Sequence, residues 1–303
     1  MQEHRAKLAL VAVIALIVII TSTRSPVFFT WGNLQNILVQ VSVVGILAMG
    51  TTLLMVSGGI DLSIGSGVSL CGVVMASLMA LGWPPLSAVA VAVLMATVIG
   101  ASTGFLAAKS DNHPFVLTLG VLTLLQGFAF IVSIGPVTDI PASFIDVAYL
   151  KPLGIPVLIW IFAAVTVVVH LILRYTTLGR WLYAIGASES AARLAGIRVH
   201  AVKVTVYAIS GLLVGVAAVL MTAQLSSAQP QMGMGLELAA IAAVAVGGTP
   251  LSGGRGDVLG TLLGILLIGL IGNSLNLLSI SSSWQYVLQG GVIIVAVLAQ
   301  RKS

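Results

Sequence analysis

The chain alternates between long runs of apolar residues and short polar breaks that contain glycine, proline or charge. A transmembrane helix needs about 20 mostly apolar residues, because each residue rises about 1.5 Å and the hydrocarbon core is about 30 Å thick. The pattern therefore predicts an all-α polytopic membrane protein. We predict ten transmembrane helices, at residues 7–23, 36–56, 62–81, 86–108, 115–134, 154–173, 204–224, 237–249, 257–277 and 283–299.

The composition supports a lipid-facing surface, since 59% of the residues are hydrophobic and only 7% are charged. A soluble domain carries roughly a quarter charged residues. With the N-terminus in the cytoplasm, the predicted cytoplasmic side holds eleven lysines and arginines, and the outer side holds only Arg24 and Lys151. Basic residues accumulate in cytoplasmic loops. We therefore predict that both termini are cytoplasmic, and the basic charge needs no nucleic-acid partner.

The N-terminal stretch MQEHRAKLALVAVIALIVII has two interpretations. Its basic start and apolar run fit a secretory signal peptide, and they equally fit a first transmembrane helix. The following residues, TSTRSP, contain no small-x-small cleavage site. We predict a retained first span.

Two glycine-rich breaks resemble each other, SGGIDLSIGSGVSL at 57–70 and VGGTPLSGGRGDVL at 246–259. The match indicates either an internal duplication or coincidence in a chain with 33 glycines. Neither contains the G-x-x-x-x-G-K-[ST] pattern that cradles phosphates, so we expect no nucleotide site of that kind. Asp61 in the first break is expected to cap the third span, where an acid meets the positive end of the helix dipole, or to act in gating or partner contact.

Uncharged polar residues inside the predicted spans are candidates for a solute path, because amides and hydroxyls can exchange hydrogen bonds with a hydroxylated solute. These candidates are Gln40, Thr52, Gln126, Asn273, Asn276 and Trp284. The alternative is hydrogen bonding between helices, worth about 0.6 kcal/mol per bond on average, or interface anchoring for Trp284. Four scattered histidines and the single Cys71 give no metal-ligand spacing and no catalytic cluster. We therefore expect a chain that is not an enzyme and carries no metal.

The longest hydrophilic stretch, 174–203, lies on the predicted cytoplasmic side. Ser188 is placed to cap a short helix that runs from Glu189 to Leu194, and Gly196 is placed to end it.

Four blocks of the chain resemble membrane subunits of ribose-type monosaccharide ABC importers, a set that includes permeases for ribose, xylose, galactose and autoinducer-type sugars. The blocks are YTTLGRWLYAIGASESAARLAGI (175–197), GGIDLSIG (58–65), PFVLTLGVLTLLQG (114–127) and the stretch 245–285. The resemblance covers nearly the whole chain. One departure is Ala187-Ser188, where family members often have Gly-Asn.

The resemblance implies a single permease domain over 1–303 in the bacterial cytoplasmic membrane, working by alternating access. It implies three partners: a second permease subunit, identical or paralogous; a cytoplasmic ATPase that uses ATP and Mg; and an extracytoplasmic sugar-binding protein. No cofactor is expected on this chain. The segment 175–197 would couple to the ATPase, with Arg180 and Glu189 able to pair across that interface. The implied coupling residues are Gly179, Arg180, Gly186, Ser188, Glu189, Ala191, Ala192 and Gly196. The competing hypothesis is a stand-alone carrier or facilitator for a small polar solute.

Overall fold

The computed structural model describes residues 2–110 and 114–281, together with Trp284, Val287, Leu288, Gly290 and Gly291. Within these residues the chain is helical, and the only β-type pairing is an isolated bridge between Val137 and Ala228. The helices are α1 Gln2–Arg24, α2 Trp31–Val56, α3 Ile64–Ala80, α4 Pro85–Lys109, α5 Pro114–Val132, α6 Ala142–Tyr149, α7 Val157–Tyr175, α8 Thr177–Ala187, α9 Glu189–Leu194, α10 Val199–Leu225, α11 Leu236–Val246 and α12 Val258–Leu277.

Six helices in the described part of the chain are long and apolar enough to cross a membrane. They are α2, α4, α5, α7, α10 and α12. Three shorter apolar helices correspond to the predicted first, third and eighth spans: Leu10–Arg24 within α1, α3 and α11. The predicted tenth span, 283–299, lies outside the described residues apart from a few positions. The all-helical class is thus confirmed, whereas the count of ten spans stays a prediction.

The helices divide into a central and a peripheral group. In the most apolar stretch of α2, 78% of the residues are buried, whereas in α5 the share is 17%. The side chains of Val116, Leu124 and Ile131 on α5 are all more than half exposed. Because large apolar side chains cover the outside of the bundle, its periphery is suited to lipid contact.

The helices α4 and α10 are in close contact through glycines. A Cβ atom on Gly100 would overlap the carbonyl oxygen of Tyr207, and one on Gly211 would overlap that of Ala96. Gly104 and Gly215 extend the same contact in both directions. Small residues let two backbones approach closely, and these four glycines are therefore what allows α4 and α10 to pack together.

The first helix is attached to the last described one. Thr21 donates a hydrogen bond of 2.7 Å to the hydroxyl of Ser274, both buried. At the opposite end of α1, Lys7 forms an ion pair with Asp257, the residue that caps α12. The two contacts join α1 to α12 at both ends, and the retained first span stays a prediction.

The structure differs from the sequence-based prediction at several points. The hydrophilic stretch 174–203 contains an additional helix, α8, because Leu182 and Ile185 form a buried apolar face on an otherwise polar segment. The seventh span begins at Val199 rather than 204, since its first turn is polar on the exposed side. The eighth span ends at Val246 rather than 249, because Gly248 adopts a φ of +98° that ends the helix.

Candidate coupling segment and solute path

The coupling segment begins with a sharp reversal between α7 and α8. The hydroxyl of Thr176 accepts a hydrogen bond of 3.2 Å from the N–H of Gly179, which caps α8. A Cβ atom at Gly179 would overlap the carbonyl oxygens of Ile172 and Leu173. Glycine is therefore required here for α8 to turn back against the end of α7.

The predicted short helix is confirmed as α9. The hydroxyl of Ser188 accepts a hydrogen bond from the N–H of Ala191, and Gly196 follows the helix with a φ of +80°. Its two alanines differ in position, since Ala191 is exposed whereas Ala192 is buried against the rest of the chain. Ala192 therefore fixes α9 to the bundle, and Ala191 stands on its outer face.

Glu189 forms two ion pairs within its own chain. Its two carboxylate oxygens lie 2.7 Å from Arg193 Nη2 and 2.7 Å from Lys203 Nζ. Partial burial opposes ionisation, but the hydrogen bonds from Lys203 and Arg193 prevail and lower the pKa of Glu189. Pairing of Arg180 and Glu189 across an interface with an ATPase stays a prediction, and the structure adds that Glu189 has two partners within its own chain. Arg180 is exposed and forms no ion pair within the described residues.

Leu194, at the end of α9, was missed by the sequence reasoning. Its side chain is 91% exposed, although it is apolar and lies among charged neighbours. The only signal in the sequence was a leucine at the last position of a short polar helix.

Gly186 on α8 contacts both glycine-rich loops at once. A Cβ atom there would overlap the carbonyl oxygen of Val56, at the end of α2, and the backbone N–H of Gly254. That N–H donates a hydrogen bond of 2.9 Å to the same Val56 carbonyl. The loops also touch each other, because Gly253 lies directly against the backbone of Gly58. At Gly186 the coupling segment therefore meets the two loops through main-chain atoms.

Asp61 is buried in the turn that leads into α3. Its Oδ1 accepts hydrogen bonds from the N–H of Ser63 at 2.8 Å and from the Ser63 hydroxyl at 2.6 Å. The carboxylate therefore caps the turn before α3 rather than the first helical residues. Behind this turn, the hydroxyl of Tyr207 donates to the carbonyl of Ile60 at 3.0 Å.

Three of the candidate path residues make contacts that hold the bundle together. Thr52 is buried and bonds to Thr261 of α12 at 2.8 Å. The amide of Asn273 exchanges two hydrogen bonds with that of Asn33. Gln126 donates to the carbonyl of Pro230 at 2.7 Å, which anchors the segment before α11. For Thr52 and Asn273 these are hydrogen bonds between helices, and for Gln126 the bond joins α5 to the segment before α11.

The other three candidates, Gln40, Asn276 and Trp284, are exposed. No hydrogen bond within the described part of the chain uses the side-chain amide of Gln40 or Asn276. Their position is consistent with a polar surface that the isolated chain leaves uncovered.

The described helices form a bundle with an apolar periphery, a buried polar centre and a short helix outside it, which is suited to a membrane protein. Residues 33–297 match the family model described as branched-chain amino acid transport system / permease component, and the chain belongs to this family. It is therefore a component of a transporter and not an enzyme.

Relatives with curated names cover almost the whole chain. It is 44% identical to the ribose import permease protein RbsC of Escherichia coli strain K12, over 100% of this chain and 94% of that protein. It is 40% identical to RbsC of Bacillus subtilis, over 95% and 90% of the two chains. It is 36% identical to the D-allose transport system permease protein AlsC of Escherichia coli, again over 95% and 90%.

Proposed function

We propose that this chain is the membrane-spanning subunit of an ABC importer for a monosaccharide, in the cytoplasmic membrane of a bacterium. The observation that carries the proposal is the full-length similarity to permeases named for ribose and allose import. Both solutes are small and hydroxylated, so a path between helices would need hydrogen-bonding side chains. Energy for transport would come from a partner ATPase that uses ATP and Mg, since the sequence carries no phosphate-binding loop.

The α8–α9 segment is the proposed docking site for that ATPase. Ser188, Glu189 and Gly196 shape and hold α9, whereas Ala191 and Leu194 are exposed on it. The ion pair of Glu189 with Lys203 joins α9 to α10, so a push on Leu194 would be passed to α10. Gly186 would transmit the movement to the loops before α3 and α12.

The proposed orientation has both termini, α8 and α9 in the cytoplasm. Lys7, Asp257 and α8 are grouped on one side of the bundle, since Lys7 contacts Asp257 and Tyr183 of α8 donates to the carbonyl of Gly256. This grouping supports the orientation derived from the basic residues. A second permease subunit, whether identical or paralogous, and an extracytoplasmic sugar-binding protein complete the proposed assembly.

The test compares two leucines with the same exposure on opposite sides of the bundle. The tagged chain is purified from its native membrane in mild detergent as parent, Leu194→Asp and Leu153→Asp. Leu153 is 90% exposed and has a φ of +56°, which aspartate tolerates, so it is the matched control. We expect an ATPase to co-purify with the parent and with Leu153→Asp, and to be lost from Leu194→Asp.

Uptake of radiolabelled ribose and allose by the same cells is the second measurement. We expect ATP-dependent uptake of at least one sugar with the parent and none with Leu194→Asp. If the parent chain purifies alone and equilibrates sugar across liposomes without ATP, the proposal of an ABC importer is wrong and the facilitator hypothesis is supported.

A further inference from the structure

The outer half of α2 presents two amides that nothing in the described chain satisfies. Asn36 and Gln40 are one turn apart on the same face, both are exposed, and neither side chain takes part in a hydrogen bond among the described residues. Further along this face, Val43 and Leu47 are apolar and buried. The face is thus polar and open in the outer half of the helix and closed in the inner half.

The buried amide pair between Asn33 and Asn273 fixes how α2 and α12 face each other. These helices are antiparallel, because the start of α2 lies beside the end of α12. A helix turns about 100° per residue, so Asn36 is displaced about 60° from Asn33, and Asn276 is displaced about 60° in the same sense from Asn273. When two helices are antiparallel, rotations of equal size and sense, each viewed from that helix's own N-terminus, point to the same side of the helix pair. Asn36 and Asn276 therefore lie on the same side of the α2–α12 pair.

The opposite side of the α2–α12 pair is occupied by α1. Ile37 and Leu277 are displaced from the amide pair in the other sense, and both pack in one cluster with Ile14 and Ile17 of α1. Because α1 covers that side, the side with Asn36, Gln40 and Asn276 is the open one. The three amides therefore share one exposed surface, which we call the amide ladder.

The amide ladder descends from the outer end of the bundle to its middle. Asn276 lies at the end of α12, whereas Asn36 and Gln40 lie about 8 Å and about 14 Å along α2 from Trp31. Half of the hydrocarbon core is about 15 Å thick. An amide at such a depth is unfavourable against lipid tails, because it has no hydrogen-bonding partner there.

We propose that the amide ladder of Asn36, Gln40 and Asn276 is the wall of the outer half of the solute path, where it binds a hydroxylated solute of monosaccharide type. This inference rests on the proposed function. It adds Asn36, which was not among the candidates predicted from the sequence. Each amide offers both donors and acceptors, so it can pass sugar hydroxyls from one level to the next. The Asn33–Asn273 pair positions the ladder by holding α2 and α12 in register.

The test uses the fact that the chain has a single cysteine, Cys71, which is fully buried. Cysteine replaces Asn36, Gln40, Asn276 and, as the lipid-facing control, Thr123 of α5, in the complete transporter in native membrane vesicles. We expect a membrane-impermeant methanethiosulfonate to modify the three ladder positions and not Thr123→Cys. We also expect ribose or allose with the binding protein to slow modification at Gln40→Cys.

The second measurement is uptake of labelled ribose and allose by the Asn36→Leu, Gln40→Leu and Thr123→Val variants. We expect a fall of roughly ten-fold or more for the two ladder variants and parent-like uptake for Thr123→Val, since leucine removes the hydrogen bonds to the solute. If the parent imports sugar but the ladder cysteines react only with a lipid-soluble maleimide, the amide ladder does not line the path. The proposed importer function would be unaffected. A parent without ATP-driven uptake would overturn the proposed function itself.

Discussion

The loop between α2 and α3 and the loop between α11 and α12 carry the same run of glycine, leucine and serine, yet their backbones follow different courses. In the first loop, α3 begins at Ile64, so Gly65 and Gly67 are helical. In the second loop the aligned residues, Gly254 and Gly256, have φ values of +79° and +134°, and α12 begins only at Val258.

At the aligned positions 65 and 254, glycine is needed for different physical reasons. In the second loop, glycine supplies a backbone conformation that other residues rarely adopt. In the first loop, Gly65 supplies space, because a Cβ atom there would overlap the carboxylate of Glu237 and the carbonyl of Gly233. Equal sequence patterns therefore do not by themselves establish a duplicated structure.

The largest effect is expected where both loops meet, at Gly186. Alanine at this position would force apart the Val56 carbonyl and the Gly254 N–H, and overpacking of this kind costs about 1–3 kcal/mol. We expect Gly186→Ala to lower the thermal unfolding midpoint in detergent and to abolish ATP-driven sugar uptake. The control is Gly120→Ala in α5, which has no neighbour near its Cβ position. Equal behaviour of the two variants would show that the junction is not tightly packed.

Asp61 tests the first loop alone. Asp61→Ala removes the acceptor for the buried N–H of Ser63 and is expected to cost about 1–3 kcal/mol. Asp61→Asn keeps an acceptor and removes a buried charge that forms no ion pair within the described residues, so we expect stability close to the parent. Thermal unfolding of both variants measures the difference. A large loss with asparagine would mean that the negative charge itself is required.

Asp257 tests the second loop alone. Asp257→Ala removes the cap on the N–H of Gly260 and is expected to cost about 1 kcal/mol. Asp257→Ser keeps a capping hydroxyl and loses the ion pair with Lys7, which is partly exposed and is expected to contribute about 0–1 kcal/mol. Unfolding at low and high salt separates the two contributions, because only the ion pair is screened.

The smallest effect concerns α9, which neither loop anchors directly. The pKa of Glu189 is lowered in the folded chain, so its contribution is fully present above the ordinary value of about 4.3 and is lost as the pH falls through the folded pKa. The carboxylate is partly exposed, so we expect Glu189→Gln to cost below about 1 kcal/mol at neutral pH. The gap between parent and variant should close when unfolding is measured at falling pH. A gap that persists in acid would assign the effect to packing.

Apolar runs predicted most of the fold because lipid imposes a minimum length on each helix. The ninth span was expected at 257–277 and is Val258–Leu277. The helix α8 escaped prediction because its apolar face, with Leu182 and Ile185, is short and faces the bundle rather than lipid. A continuous run of apolar residues predicts a transmembrane span. An amphipathic helix at the surface contains no such run.

The path residues were harder to predict because composition does not reveal which face of a helix is open. Asn273 and Gln40 look alike in the sequence, yet Asn273 is buried against Asn33 and Gln40 is exposed. Asn36 was missed because it lies at the edge of the predicted second span. The helices packed against each face, above all α1, determine which amides bond to another helix and which stay exposed.

The junction at Gly186 is made of peptide groups, which are the same in every protein. A substitution there can disrupt the main-chain contact, but it cannot introduce a preference for one solute over another. Solute selectivity can therefore diverge among related chains, or be redesigned in this one, at Asn36, Gln40 and Asn276. The coupling to the ATPase need not change with it. A library built to change the imported sugar should vary the ladder and keep Gly186, Gly253 and Gly254 constant.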